Sequence, residues 1–148
     1  KGDAHCGEKV KHRSRVAKNP DQPNLRQVHL MHIELFQELA TKGFQVNPGE
    51  MGENITTSNI DLLNLPKDTI LKIGDTVQIQ ITGLRNPCHQ IDKFQKGLLK
   101  AVIDKDAGNN IIRKAGIMGI VLEGGIINVN DNITIVLQAK PFIKLERV

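Results

Sequence analysis

The chain has 148 residues, 39% of them hydrophobic, and this length suits one domain with a substantial buried core. Four Phe and no Trp or Tyr leave few of the aromatic faces on which single-stranded nucleic acids stack, so we expect no nucleic-acid partner. The formal net charge of +4 resides in residues 1–30, because residues 31–148 carry thirteen basic and thirteen acidic side chains. This basic N-terminal region suits an anionic ligand, and a solvated loop is the alternative interpretation.

Two cysteines, Cys6 and Cys88, are too few for a disulfide framework. The sequence also shows no signal peptide, membrane span or lipidation motif. We therefore expect a cytoplasmic protein with reduced thiols and no membrane partner. Residues 1–148 are interpreted as a single domain, and the start at Lys1 without Met predicts that a preceding segment has been left out of this numbering.

The first part of the chain predicts a turn, a long loop, a strand and a helix. Residues 1–7 place acidic, imidazole and thiol side chains between glycines, a pattern more typical of a turn than of a metal loop. Residues 9–24 contain two prolines and no apolar periodicity, which indicates a loop. Residues 26–31 predict a strand, and apolar residues at helical spacing over 33–40, with Gly43 as a stop, predict an amphipathic helix.

The second part of the chain predicts mainly strands. Residues 71–79 and 127–135 each show two alternating apolar segments around a Gly or Asn turn, which predicts two β-hairpins and a sheet that bends towards a barrel. Apolar spacing over 94–103 predicts a second amphipathic helix that ends near 107–110. Residues 117–122 predict a buried strand. Together these signals favour a β-rich α+β domain.

A glycine-punctuated turn enters a strand at residues 48–57. Its glycines allow close backbone approach to a ligand. Asn54, Thr56 and Thr57 offer neutral hydrogen bonds there, and a purely structural turn is the alternative.

The strongest candidate for a functional site is the segment 82–90, which follows an alternating apolar strand. It brings Arg85, Asn86, Cys88 and His89 within five residues. A thiolate is a strong nucleophile and a soft metal ligand, and a nearby cation lowers its pKa. A thiol packed as a small hydrophobic side chain is the alternative, but charged and amide neighbours rarely crowd such a thiol.

A zinc site is a more distant hypothesis. Its ligands would be His5, Cys6, Cys88 and His89, with His29 nearby. These residue types suit zinc, but they lack the paired short spacings of a structural zinc module.

Six segments, taken in chain order, resemble the MOSC domain, which is the C-terminal module of molybdenum cofactor sulfurases, and in particular its small stand-alone bacterial members. The matching segments are Gly2–His5, Arg26–Val28, Pro48–Ile55, Leu71–Asp75, Thr82–Cys88 and Arg113–Gly125. The resemblance implies a MOSC-type β-barrel, of the pyruvate-kinase-barrel kind, with two or three short flanking helices. Compared with the family pattern, the N-terminal strand of the single domain 1–148 is missing or truncated. It also implies that Cys88 is the signature cysteine of the family.

The resemblance implies that the domain binds the molybdenum cofactor, also called molybdopterin, and that Cys88 is the catalytic residue and the molybdenum ligand of a reductase for N-hydroxylated substrates. A soft thiolate is a sensible ligand for this metal. In this hypothesis Arg85 and Arg26 pair with the anionic phosphate or pterin as planar donors. The other candidate cofactor-binding residues are Asn54, Thr56, Thr57, Asp3 and His5. Because the chain has no flavin or iron–sulfur module, an external electron donor of one of these types would be its partner.

The second role implied by the resemblance is a sulfur carrier in which Cys88 bears a persulfide. No pyridoxal-phosphate site is identified in this chain, so a PLP-dependent desulfurase would be the partner that supplies the sulfur. Arg85 and His89 would then stabilise the thiolate. The reductase hypothesis is modestly favoured over sulfur carriage.

Overall fold

The computed structural model describes residues 6–11, 16–19 and 21–148. Over these residues the chain forms mainly strands, with three short helices and one 3₁₀ turn at Leu62–Asn64. The strands are β1 (Val28–His32), β2 (Ile55–Thr57), β3 (Ile70–Ile73), β4 (Val77–Leu84), β5 (Ile103–Lys105), β6 (Ile111–Arg113), β7 (Ile117–Glu123) and β8 (Ile133–Leu137). The helices are α1 (Ile33–Thr41), α2 (Gln90–Phe94) and α3 (Leu98–Ala101).

Six of these strands form one curled sheet in the order β2-β1-β7-β4-β3-β8. The β1–β2 pair is parallel and the other pairs are antiparallel. The sheet has the shape of a half-barrel with β2 and β8 at its ends, and β5 and β6 form a separate two-stranded hairpin. This architecture confirms the predicted β-rich MOSC-type fold with short flanking helices.

The two faces of the sheet pack into two hydrophobic clusters. Successive side chains of β1 point to opposite faces, so Leu30 lies in one cluster and Met31 in the other. The first cluster contains the apolar residues of β3 and β4, and the second packs α1 and α3 against the sheet. Each fully buried Leu or Ile contributes about 2 kcal/mol through the apolar surface that it removes from water. None of the helices in the described part of the chain combines the length and the apolar character that crossing a membrane requires.

Several elements form where the sequence predicts them. Helix α1 ends at Thr41, and Gly43 follows with φ +85°, a conformation that glycine adopts without strain. The β3–β4 hairpin turns at Gly74, which has φ +60°. β1 overlaps the segment 26–31 predicted as the first strand; it begins two residues later and ends one residue later.

The prediction of one continuous second helix over residues 94–103 is wrong. The chain forms two short helices, α2 and α3, because Gly97 adopts φ +91° between them. Ile103, predicted as helical, begins strand β5 and pairs with Arg113. The segment predicted to end the helix, 107–110, is instead the turn of the β5–β6 hairpin, in which the Asp106 N–H donates to the Asn110 carbonyl at 3.0 Å.

The predicted second hairpin forms only in part. Its turn exists, since the Asp131 N–H donates to the Asn128 carbonyl at 3.2 Å, and β8 follows it. The preceding residues do not form a strand, and Val129 is 92% exposed. The strand predicted as buried at 117–122 is buried only in its first half, because Val121 and Leu122 lie at the surface.

Candidate functional site

Cys88 lies in the loop that joins the end of β4 to the start of α2. The end of β4 is held by the C-terminal segment, because the Leu84 N–H donates to the Glu146 carbonyl at 2.7 Å. The Arg85 N–H donates to the Gly116 carbonyl at 2.9 Å, and the Cys88 carbonyl accepts the Ile91 N–H at 3.1 Å. The loop is therefore fixed at both ends to rigid parts of the fold.

The Cys88 thiol is free and half-buried. Its Sγ contacts the side-chain carbonyl oxygen of Gln90 at 3.6 Å, with the thiol as donor. Pro87 beside it is buried, whereas His89 on the other side is exposed. The structure thus presents the thiol at the surface of the loop and excludes the alternative of a thiol packed in the core.

The Arg85 guanidinium lies within electrostatic reach of the Cys88 thiol. Burial lowers the pKa of Arg85, and attraction to a Cys88 thiolate acts in the opposite direction. An arginine remains charged at neutral pH even in a desolvated place, because its ordinary pKa lies far above neutral. The site therefore holds a partly buried positive charge that interacts electrostatically with its thiol.

The structure also brings the Arg26 segment towards this site. The Thr82 hydroxyl donates to the Leu25 carbonyl at 2.6 Å and contacts the Met118 carbonyl oxygen at 3.0 Å. The residue before Arg26 is therefore held against β4, three residues before Arg85 in the sequence. Arg26 itself is half-buried, and its N–H donates to the Asn24 side-chain oxygen at 3.2 Å.

A third arginine, which was not predicted as a site residue, contacts the same loop. The Arg113 Nε donates to the Asn86 side-chain oxygen at 3.4 Å. Arg113 is distant in sequence from Asn86, and in the sequence it is marked only as the first residue of the segment Arg113–Gly125 that resembles the family. The contact depends on the β5–β6 hairpin, which the sequence pattern predicts as the end of a helix, so local periodicity could not have found it.

His29 is a buried side chain of β1 and not a zinc ligand in the described structure. Its Nε2 lies 2.7 Å from the Ala115 carbonyl oxygen, so Nε2 carries a proton and donates it. Burial lowers the pKa of His29; the Ala115 carbonyl opposes this shift, and the charge of Arg85 adds to it. The imidazole therefore stays neutral at neutral pH and links β1 to the segment before β7.

Folding stability is expected to fall as the pH falls below about 6.5, the ordinary pKa of histidine. The unfolded chain binds a proton there, whereas folded His29 and His32 resist it, since burial lowers both pKa values. Each histidine contributes a slope of at most about 1.4 kcal/mol per pH unit.

This pH dependence is measured by urea unfolding at about pH 7.5 and about pH 5.5, a window above the ordinary pKa of the carboxylates. His29→Gln, whose amide can still donate to Ala115, is expected to lose less stability between the two values than the wild-type protein does. Equal losses in the two proteins would contradict a neutral buried His29.

The predicted pterin-binding residues Asn54, Thr56 and Thr57 lie on or next to β2. Asn54 continues the β1–β2 ladder, because its N–H donates to the His29 carbonyl and its Oδ1 accepts the His29 N–H, both at 2.9 Å. The Thr56 hydroxyl donates to a Glu53 carboxylate oxygen at 3.0 Å, and that of Thr57 to the Met31 carbonyl at 3.3 Å. A pterin contact at these residues remains a prediction and would have to compete with these hydrogen bonds.

The same three residues line a groove of about 1170 Å³ at the open side of the half-barrel. Cys88, Arg85 and Arg26 are not among the residues that line this groove. In the sheet, β2 and β4 are separated by the two strands β1 and β7. The structure thus separates the predicted site residues into a Cys88 group and a groove group.

Other predicted ligands do not join either group in the described structure. Asp3 and His5 lie outside the described residues. In the basic N-terminal region, Lys9 forms an exposed ion pair with Asp21 at 2.6 Å. No three His, Cys, Asp or Glu side chains among the described residues lie close enough together to hold a metal ion. The described members of the predicted zinc site, Cys6, Cys88 and His89, therefore do not cluster with one another or with His29, and the fourth predicted ligand, His5, lies outside the described residues.

The described chain is thus a half-barrel sheet with the Cys88 loop at the end of its central strand β4, and this architecture, taken with the family match, gives the class to which the protein belongs. The family model of the MOSC domain matches residues 14–134, so the chain belongs to the MOSC domain family. This family is associated with binding of the molybdenum cofactor. The comparison with curated proteins found no match.

Solved structures share this fold. The chain is similar to YiiM from Geobacillus stearothermophilus, with 22% identity and a TM-score of 0.68 over 82% of this chain and 60% of that chain. It is also similar to the YUAD protein from Bacillus subtilis, with 22% identity and a TM-score of 0.67 over 86% and 74% of the two chains. YiiM from Escherichia coli gives 18% identity and a TM-score of 0.62 over 80% and 58%. The chain thus spans about 60% of the length of the YiiM proteins, and the likeness shows a common fold.

Proposed function

We propose that this MOSC domain binds the molybdenum cofactor through Cys88 and forms the molybdenum-bearing component of a reductase for N-hydroxylated substrates. The observation that carries the proposal is the free, half-buried Cys88 thiol on a loop that begins at the partly buried Arg85, whose guanidinium interacts electrostatically with it. A buried charge costs free energy unless a partner offsets it, and groups in such environments cluster at functional sites. The thiolate of Cys88 or an anionic ligand would offset the charge of Arg85.

The residues of the Cys88 group fit this cofactor chemically. A thiolate is a soft ligand that suits molybdenum, and the described donor set does not assemble the nitrogen and sulfur ligands that zinc prefers. Arg85, with Arg26 and Arg113 nearby in the fold, supplies planar donors that suit phosphate and pterin oxygens. When bound, the cofactor supplies a two-electron redox centre, and the chain provides the thiolate, the positive charge and the orientation of the loop.

The proposal is tested by metal analysis of the wild-type protein produced in two hosts, one able and one unable to make the molybdenum cofactor. Molybdenum is expected in stoichiometric amount from the first host and not from the second. Reduction of hydroxylamines and amidoximes with a chemical electron donor is then measured on the loaded protein. Protein without molybdenum from the competent host would contradict the proposal.

A second candidate function is sulfur carriage on Cys88. The partial exposure of the thiol favours it, because a donor protein can reach the sulfur atom from solvent. The protein is incubated with a PLP-dependent desulfurase and cysteine, and mass spectrometry then determines whether Cys88 gains one sulfur atom. Added sulfur on Cys88 in protein that binds no molybdenum would favour this function over the first.

A further inference from the structure

Four consecutive residues, Arg113 to Gly116, lead from the end of β6 to β7 and contact three other parts of the fold. We call residues 113–116 the crossing segment. Its contacts are Arg113 Nε to Asn86 Oδ1 at 3.4 Å, the Lys114 N–H to the Val102 carbonyl at 2.9 Å, the Ala115 carbonyl to His29 Nε2 at 2.7 Å and the Gly116 carbonyl to the Arg85 N–H at 2.9 Å. Two of the four contacts hold the Cys88 loop.

The loop itself has few other attachments. Among the described residues, no backbone hydrogen bond is donated by Asn86, Cys88 or His89, and Pro87 has no N–H to donate. Between the anchored backbone of Arg85 and the carbonyl of Cys88, Pro87 is buried, and the side chain of Asn86 makes the hydrogen bond that attaches this stretch to the rest of the described structure. Its partner is Arg113.

We propose that Arg113 is a positioning residue that sets the place of the Cys88 thiol by holding Asn86. The inference rests on Cys88 being the functional residue proposed above, but it concerns the loop and not the metal. Arg113 is itself fixed through the backbone, because it pairs with Ile103 in the β5–β6 hairpin and the N–H of Lys114 beside it donates to the Val102 carbonyl at 2.9 Å. A guanidinium on a rigid strand is suited to hold a loop, since a hydrogen bond to a charged donor is stronger than a neutral one.

The alkylation rate of Cys88 tests this inference without any cofactor. Each protein carries Cys6→Ser, so Cys88 is the one remaining cysteine of the 148 residues. Iodoacetamide is reacted over a pH series, and the plateau rate at high pH, where the thiol is fully ionised, reports the accessibility of the sulfur atom. The apparent pKa of the thiol is read from the same profile and reports its charge environment.

Arg113→Gln and Asn86→Ala are each expected to raise the plateau rate about threefold or more, because either change releases the loop. The double variant is expected to show no further increase, since both changes remove the same contact. Lys114→Gln is the matched control. It changes the neighbouring cation of the same segment, whose side chain pairs with Glu38 and Asp104 and not with the Cys88 loop, and it is expected to leave the plateau rate unchanged.

An unchanged plateau rate in Asn86→Ala would overturn the inference, and so would additive effects in the double variant. Asn86→Ala alters a partly buried loop residue outside the helices and strands and keeps the test valid if Arg113→Gln does not fold. The result is independent of the proposed function. If molybdenum binding fails while the plateau rates change as expected, Arg113 still positions the loop; if the rates do not change in protein that binds molybdenum, the positioning role alone is wrong.

Discussion

Serine in place of Cys88 is expected to remove molybdenum from protein produced in a host that makes the cofactor. A serine hydroxyl is a harder ligand than a thiol and stays protonated at neutral pH, so it cannot replace the soft thiolate. The change is nearly isosteric and the thiol is half-buried, so little loss of folding stability is expected. Metal analysis and urea unfolding of the purified protein measure the two effects.

Cys6→Ser is the matched control for this prediction. Cys6 is the other free cysteine and is exposed, and the same change of atom there is expected to leave the molybdenum content unchanged. Molybdenum retained in Cys88→Ser would show that Cys88 is not the ligand. Molybdenum lost equally from both variants would also contradict the assignment of this role to Cys88.

Alanine in place of Gly116 is expected to lower the free energy of unfolding by about 3 kcal/mol or more. Gly116 has φ +83°, a conformation that side chains rarely adopt. An added Cβ would also collide with the Leu30 carbonyl oxygen and would lie 2.7 Å from Met31 Cγ. β1 could relieve this collision only by moving away, and that movement would break its pairing with β7. Urea unfolding measures the loss.

Gly43→Ala separates the two causes of this loss. Gly43 also has a positive φ, +85°, but an added Cβ there would meet no atom within 4 Å. Its expected loss is about 1 kcal/mol, from the backbone conformation alone. Losses of similar size in the two variants would mean that close packing against Leu30 is not what requires glycine at position 116.

The sequence predicted the Cys88 group because its chemistry is local. Arg85, Asn86 and Cys88 are neighbours in the chain, and the strand before them shows a clear alternation of apolar residues. The order of weak motifs along the chain then indicated the family that the match to residues 14–134 shows. The role of Cys88 as a metal ligand stays a prediction.

The sequence did not predict where the groove residues would lie. From the sequence, the polar side chains of Asn54, Thr56 and Thr57 are expected to be available for a ligand. In the fold each one forms a hydrogen bond with a backbone or carboxylate group of the protein. Sequence patterns report which face of a strand a residue occupies, not which partner it meets across the sheet. The helix predicted over 94–103 failed for a similar reason, since one glycine conformation and a pairing with β6 outweighed the helical spacing.

By itself, therefore, the sequence determined the β-rich class, helix α1, the β3–β4 hairpin and the loop that carries Cys88. Each of these depends on the spacing of apolar residues or on turn residues within a few positions of one another. Only the tertiary structure decided that Arg113 contacts Asn86, that His29 is buried against Ala115 and that β1 and β7 lie between β2 and β4 in the sheet. These are contacts between distant parts of the chain, and they are set by how the strands pair and how closely Gly116 lets β1 approach the segment before β7.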